Sequence, residues 1–181
     1  KNYNIYKSAL AVFSLILIIW STACTRDFDE LEKAKYPDIA EVFIDGFSAG
    51  LNYAAFGGSK VTAFDVDEEV AYSGSASMRI EIPDAGDPEG SYAGGVYYTT
   101  VGRDLSSYDA LTFWAKASKA ATIDVVGIGN DLGESKYQAS INGFQVNSNW
   151  KKYIIPIPDA SKLIAERGMF YYSEGPEDGL G

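Results

Sequence analysis

Short stretches of alternating apolar and polar residues, each ended by glycine, aspartate, asparagine, serine or proline, constrain this chain more than any other feature. Residues 77–83 show the pattern most clearly. Met78, Ile80 and Ile82 take one face of an extended segment, and Ser77, Arg79 and Glu81 the other. A period of two suits strands with one buried and one wetted face, which antiparallel sheets allow and parallel α/β sheets do not. The same punctuation marks candidate strands at 42–45, 60–66, 94–101, 110–116, 121–128, 144–146, 151–156 and 169–172. Together they predict an all-β fold of antiparallel strands, a sandwich or a barrel. The one helical hint in this region is 159–167, where Asp159 is placed to cap a short turn.

A different signal precedes these strands. Lys1 and Lys7 flank a polar start, residues 9–20 are almost unbroken apolar sequence, and Ser21-Thr22-Ala23 leads to the only cysteine, Cys24. A basic start, a short apolar core and small residues before a cut site describe a secretory signal. About 20 apolar residues are needed to span a bilayer, and this run is shorter. With cysteine first after the cut, the segment resembles a bacterial lipoprotein signal, which implies acylation of Cys24 and anchoring to a lipid bilayer. Ser21 stands where that motif usually has leucine. An ordinary signal peptide with a chance cysteine and an uncleaved signal anchor are the other readings. The expected organisation is a signal peptide over 1–23, an acidic and polar tether over 24–40, and a sandwich domain over 41–181. The loop-like end at 174–181 stops short of a further strand, so the domain is expected to be truncated at its C-terminus.

Composition removes whole mechanisms. The chain has no histidine and one cysteine, which excludes Ser-His-Asp and Cys-His catalysis, histidine metal sites and disulfides within the chain. Its net charge is −10, and losing residues 1–23, with two lysines and no acids, makes it −12. Such a surface disfavours nucleic acid, which needs clustered Lys or Arg, and suits a neutral ligand. Asp65-Val66-Asp67-Glu68-Glu69 is the densest acidic run. It reads as a solvated turn rather than a pair of glycosidase carboxylates. Residues 127–133 contain glycines with no convincing helix after them, which rejects a phosphate-binding loop.

Four segments, taken in order, carry a resemblance. They are Phe43-Ile44-Asp45-Gly46-Phe47, residues 72–80 (Tyr-Ser-Gly-Ser-Ala-Ser-Met-Arg-Ile), residues 104–116 (Asp-Leu-Ser-Ser-Tyr-Asp-Ala-Leu-Thr-Phe-Trp-Ala-Lys) and Trp150-Lys151-Lys152-Tyr153-Ile154-Ile155-Pro156-Ile157. Over residues 41–173 the chain resembles galactose-binding-like β-sandwich carbohydrate-binding modules, nearest to family 11 and the complex-I-intermediate-associated fold, on a Bacteroidetes-type lipoprotein. The resemblance implies an antiparallel β-sandwich of the jelly-roll kind and non-catalytic binding of a poly- or oligosaccharide at the cell surface or outer membrane, and it makes Asp45 a candidate ligand for a structural calcium. The family's closing strand is absent, and Ser48 stands where an acidic residue is common.

Sugar recognition calls for flat aromatic faces and for side chains that hydrogen-bond hydroxyls. Trp114 lies on the strand face opposite Leu111 and Phe113 and is the leading candidate platform. At the doublets Tyr97-Tyr98 and Tyr171-Tyr172, alternation sends one ring inward and one outward. Tyr97 and Tyr172 are taken as the ligand-facing members, with Tyr137 and Asp124 as further contacts. The competing expectations are a targeting module of a glycoside hydrolase whose catalytic part lies elsewhere, and a sandwich used for protein contacts.

Overall fold

The computed structural model describes residues 32–132 and 137–181, so the signal-like segment and Cys24 lie outside the described residues. Tyr36–Gly181 form one compact unit. Its strands are β1 (Leu51–Ala55), β2 (Phe64–Asp67), β3 (Ser77–Ile80), β4 (Ala93–Arg103), β5 (Ala110–Ala115), β6 (Ala121–Ile128), β7 (Ala139–Val146), β8 (Lys151–Pro156) and β9 (Glu166–Glu174). Five of them make a sheet in the order β1-β4-β9-β6-β7; β2-β3 and β5-β8 form two separate ladders. Every strand pairing is antiparallel.

Aromatic packing shows that both ladders cover the same face of the large sheet. Phe64 of β2 lies 4.2 Å from Tyr53 and 5.5 Å from Tyr97, ring centre to ring centre. Phe113 of β5 lies 6.1 Å from both Phe144 and Phe170. The result is a two-layer, all-β sandwich. The alternation read at Met78, Ile80 and Ile82 and at Tyr153, Ile155 and Ile157 turns those side chains into the core. Burying each such side chain contributes about 1.5–3 kcal/mol.

Three expectations change. Residues 42–45 do not form a strand. Phe43 bridges Phe47 across a tight loop in which Asp45 has φ 54°, and Ile44 is left 71% exposed. The apolar run exists because Val42 and Phe47 pack against the core and the Phe43 and Phe47 rings meet edge to face at 5.0 Å. The strand at the edge of the large sheet is instead β1, whose Asn and Ala residues hid a Leu51-Asn52-Tyr53 alternation. The helical hint shrinks to a 3-10 turn over Ala160–Lys162. Asp159 there accepts from Ser161 Oγ at 2.5 Å rather than from a backbone amide of the turn.

The residues before β1 are held by Arg103, which is buried at the end of β4. Its Nη1 donates to the carbonyls of Ile39 and Glu41, each at 3.1 Å, and its Nη2 to that of Ala49 at 2.9 Å. Both nitrogens reach Ser48 Oγ at 3.2 Å. The next residue, Asp104, donates its amide to Pro37 O at 2.8 Å. Burial lowers the Arg103 pKa, and the array of acceptors offsets the desolvation of the cation.

Candidate functional site

The large sheet has a second face, which neither ladder covers, and strand parity decides what it carries. On β4 the core-facing residues are Ala93, Gly95, Tyr97 and Thr99, so Gly94, Val96 and Tyr98 point the other way. Cross-strand register extends that assignment over all five strands. Asn52, Tyr98 and Gly168 form one row. Ala54, Val96, Tyr171, Gly127 and Ser140 form the next. Gly94, Ser173, Val125 and Asn142 form the third. Asn52, Ser140 and Asn142 are exposed, Tyr98 and Ser173 are half-buried, and Val96 and Tyr171 are buried and form the floor of the face.

Two glycines shape this face. A Cβ on Gly127 would sit 2.7 Å from the Tyr171 ring, and one on Gly94 would sit 2.6 Å from the ring of Tyr92, the residue before β4. Each tyrosine therefore lies over a position without a side chain, close against the sheet. Tyr92 is anchored by its hydroxyl, which donates to Gly57 O at 3.0 Å. Tyrosine rings flanked by Asn and Ser side chains are the mixture of apolar surface and hydroxyl partners that a sugar ring requires.

The inward and outward members of the tyrosine doublets are the reverse of the expectation. Tyr97 and Tyr172 are 1% and 2% exposed and belong to the core. Tyr97 packs on Phe47 at 5.0 Å, and Tyr172 shares a 3.1 Å hydroxyl contact with Tyr53. Burial raises the pKa of both phenols. Neither ring has a face to offer a ligand. Their neighbours Tyr98 and Tyr171 take the opposite parity, Tyr98 half-buried and Tyr171 buried against Gly127, and the signal that would have found them is register with the polar β1 and β7, which one strand read alone does not contain.

The other candidate residues are scattered. Asp124 is exposed at the opposite parity from Val125 and Gly127, at a point where the β6 amide turns from its ladder to Glu174 Oε2 at 2.6 Å. Burial, with the Asp124 and Glu177 charges adding to it, lifts the Glu174 carboxyl to about 6. Tyr137 is a peg: its hydroxyl accepts the Asp159 amide at 2.7 Å, and Lys162 Nζ lies 5.2 Å over its ring. Asp45 Oδ1 accepts the amides of Ser75 and Ala76 at 2.7 and 3.0 Å, fixing the turn in which Gly74 has φ 75°. Calcium takes six to eight oxygen ligands. Among the described residues no group of three acidic, His or Cys side chains is arranged to hold a metal, and the shown role of Asp45 is to fasten that turn. Trp114 does reach the surface, but on the opposite side of the sandwich, where Tyr72 stacks on it with ring centres 3.7 Å apart.

Fold and register together give an all-β sandwich whose second sheet face carries tyrosine, asparagine and serine side chains. The chain matches carbohydrate binding domain 30 over residues 43–166, more than half its length, and it belongs to that family. No curated protein and no solved structure gives a significant match. The resemblance to carbohydrate-binding modules drawn from the sequence holds at that level.

Proposed function

We propose that this domain binds an extended polysaccharide chain, without catalysis, along the uncovered face of its five-stranded sheet. The observation that carries this is the set Asn52, Tyr98, Ser173 and Asn142, brought to one sheet face by register across four strands in a member of a carbohydrate-binding family. Five strands at a spacing of about 4.8 Å span about 19 Å, room for several linked sugar rings laid across them. The Tyr98 ring supplies stacking over the floor that Tyr171 makes, and the Asn and Ser side chains pair with hydroxyls. Each polar contact nets only about 1 kcal/mol, so affinity comes from the number of rings engaged. We further propose that the domain belongs to an exported lipoprotein held at the outer membrane or cell surface by acylated Cys24. This rests on the sequence signals alone, and labelled palmitate incorporated by the full chain but not by Cys24→Ser tests it.

Affinity electrophoresis against soluble α- and β-glucans, xylans and mannans tests the binding reading. At least one polysaccharide should retard the protein, and Tyr98→Ala should weaken that retardation roughly tenfold, as expected for about 1.4 kcal/mol of lost stacking and hydrogen bonding. Retardation by none of them overturns the reading.

A further inference from the structure

The outer face of the β5-β8 ladder carries an aromatic group that the sheet-face site does not use. Trp114 is 40% exposed and Tyr72 47% exposed, with planes only 12° apart at 3.7 Å. Trp150 meets Tyr72 edge-on at 6.0 Å, and Lys116 Nζ lies 5.7 Å from the Trp150 ring centre. Trp114 is fixed by its strand, where it pairs with Lys152. Tyr72 is fixed by its turn: Asp45 holds the Ser75 and Ala76 amides, and Ser77 Oγ donates to Val70 O at 2.5 Å. Both halves of the stack are thus set in place before anything binds, which lowers the ordering cost of binding.

Polar groups stand at the rim. Asp67 accepts the Glu69 and Val70 amides through Oδ1, which holds its carboxyl below the ordinary range, and the charges of Arg79 and Lys116 act in the same direction. Lys116 provides an ammonium donor beside the Trp150 ring. One ring face bordered by a donor and a carboxylate is far smaller than the roughly 800 Å² per partner of a standard protein interface. It matches a single pyranose laid on its apolar side, with hydroxyls reaching the rim.

We propose that Tyr72, Trp114 and Trp150 form a second carbohydrate subsite, for one pyranose ring, on the side of the sandwich opposite the five-stranded sheet. The ligand class rests on the glycan-binding reading above; the site itself is separate. Two sites facing away from each other would let one domain bridge two glycan chains, with the gain in avidity that linked sites bring.

Tryptophan fluorescence separates the two sites, because the tryptophans are Trp20, Trp114 and Trp150 and none lies among the sheet-face rows. The full chain is titrated with oligosaccharides of whichever polysaccharide retards it, or of every polysaccharide in the panel if none does. A saturable change in emission is expected. It should survive Tyr98→Ala, and it should need roughly tenfold more ligand in Tyr72→Ala. Trp114→Phe, which keeps a ring, should retain part of the response and guards against misreading an unfolded Trp114→Ala. Sheet-face binding without any emission change overturns the second subsite alone, and so does a change abolished by Tyr98→Ala. A stable Tyr72→Ala with unchanged affinity overturns it as well. If no sugar gives either retardation or an emission change, both readings fall.

Discussion

The two faces of the five-stranded sheet carry the same residue type for opposite purposes. Inward, Tyr97 and Tyr172 are dry and packed among Phe47, Tyr53, Phe64 and Phe170. Outward, the half-buried Tyr98 and the buried Tyr171 lie among Asn, Ser and Gly on the face that neither ladder covers. Tyrosine suits both settings because it has a large apolar body and one polar tip. A shift of one residue in register would exchange the two sets and remove core and site together. The proposed binding face is therefore tied to the same parity that gives the sheet its stability.

The sharpest way to break the comparison is to truncate one ring on each side. Tyr97→Ala should cost about 3–5 kcal/mol by thermal or urea unfolding, as for other large core truncations, whereas Tyr98→Ala should cost under about 1 kcal/mol and lose sugar binding instead. Equal losses of stability would show that the faces are not distinct. Next in size is Gly127→Ala. The added methyl meets Tyr171 and the Ala139 carbonyl, so a loss of about 1–3 kcal/mol is expected together with weakened retardation by polysaccharide.

The inward face also has a pH signature. Glu174 titrates near 6 in the folded chain against an ordinary 4.5, so the native state holds its proton longer than the unfolded state does. Stability should be greatest below pH 4.5 with respect to this group, fall as pH rises to about 6, and stay level above that. Unfolding curves of Glu174→Gln against wild type check this, since the variant should lack that fall. The smallest effects separate two phenols. Tyr172→Phe breaks the contact with Tyr53 and should cost about 1 kcal/mol. Among the described residues the Tyr97 hydroxyl has no hydrogen-bond partner, so Tyr97→Phe should be neutral or slightly stabilising in the same melts.

Strands whose two faces differ strongly were legible in the sequence. Met78-Arg79-Ile80 and Tyr153-Ile154-Ile155 could be placed from alternation alone. The doublets could not, because two adjacent tyrosines state that one ring is inside without stating which. That choice is made by neighbours distant in sequence, Asn52 across β4 and Gly168 across β9 for Tyr98, and Gly127 beneath Tyr171. β1 was hidden for a related reason: its outward residues are the small and polar ones a binding face needs, and they lower strand propensity. Trp114 was correctly placed on an outer face, but its partner Tyr72 arrives from a turn some forty residues earlier that no pattern within β5 reveals.

Arg103 has a mechanical consequence. Its guanidinium grips main-chain carbonyls on either side of the 42–47 loop, and the adjacent Asp104 amide holds Pro37 O. Tension applied upstream of Tyr36 therefore enters the domain at the end of β4, a strand paired on both sides within the sheet, instead of peeling the edge strand β1 away. A domain strung between a fixed support and a moving polymer would resist being unzipped from its N-terminal side.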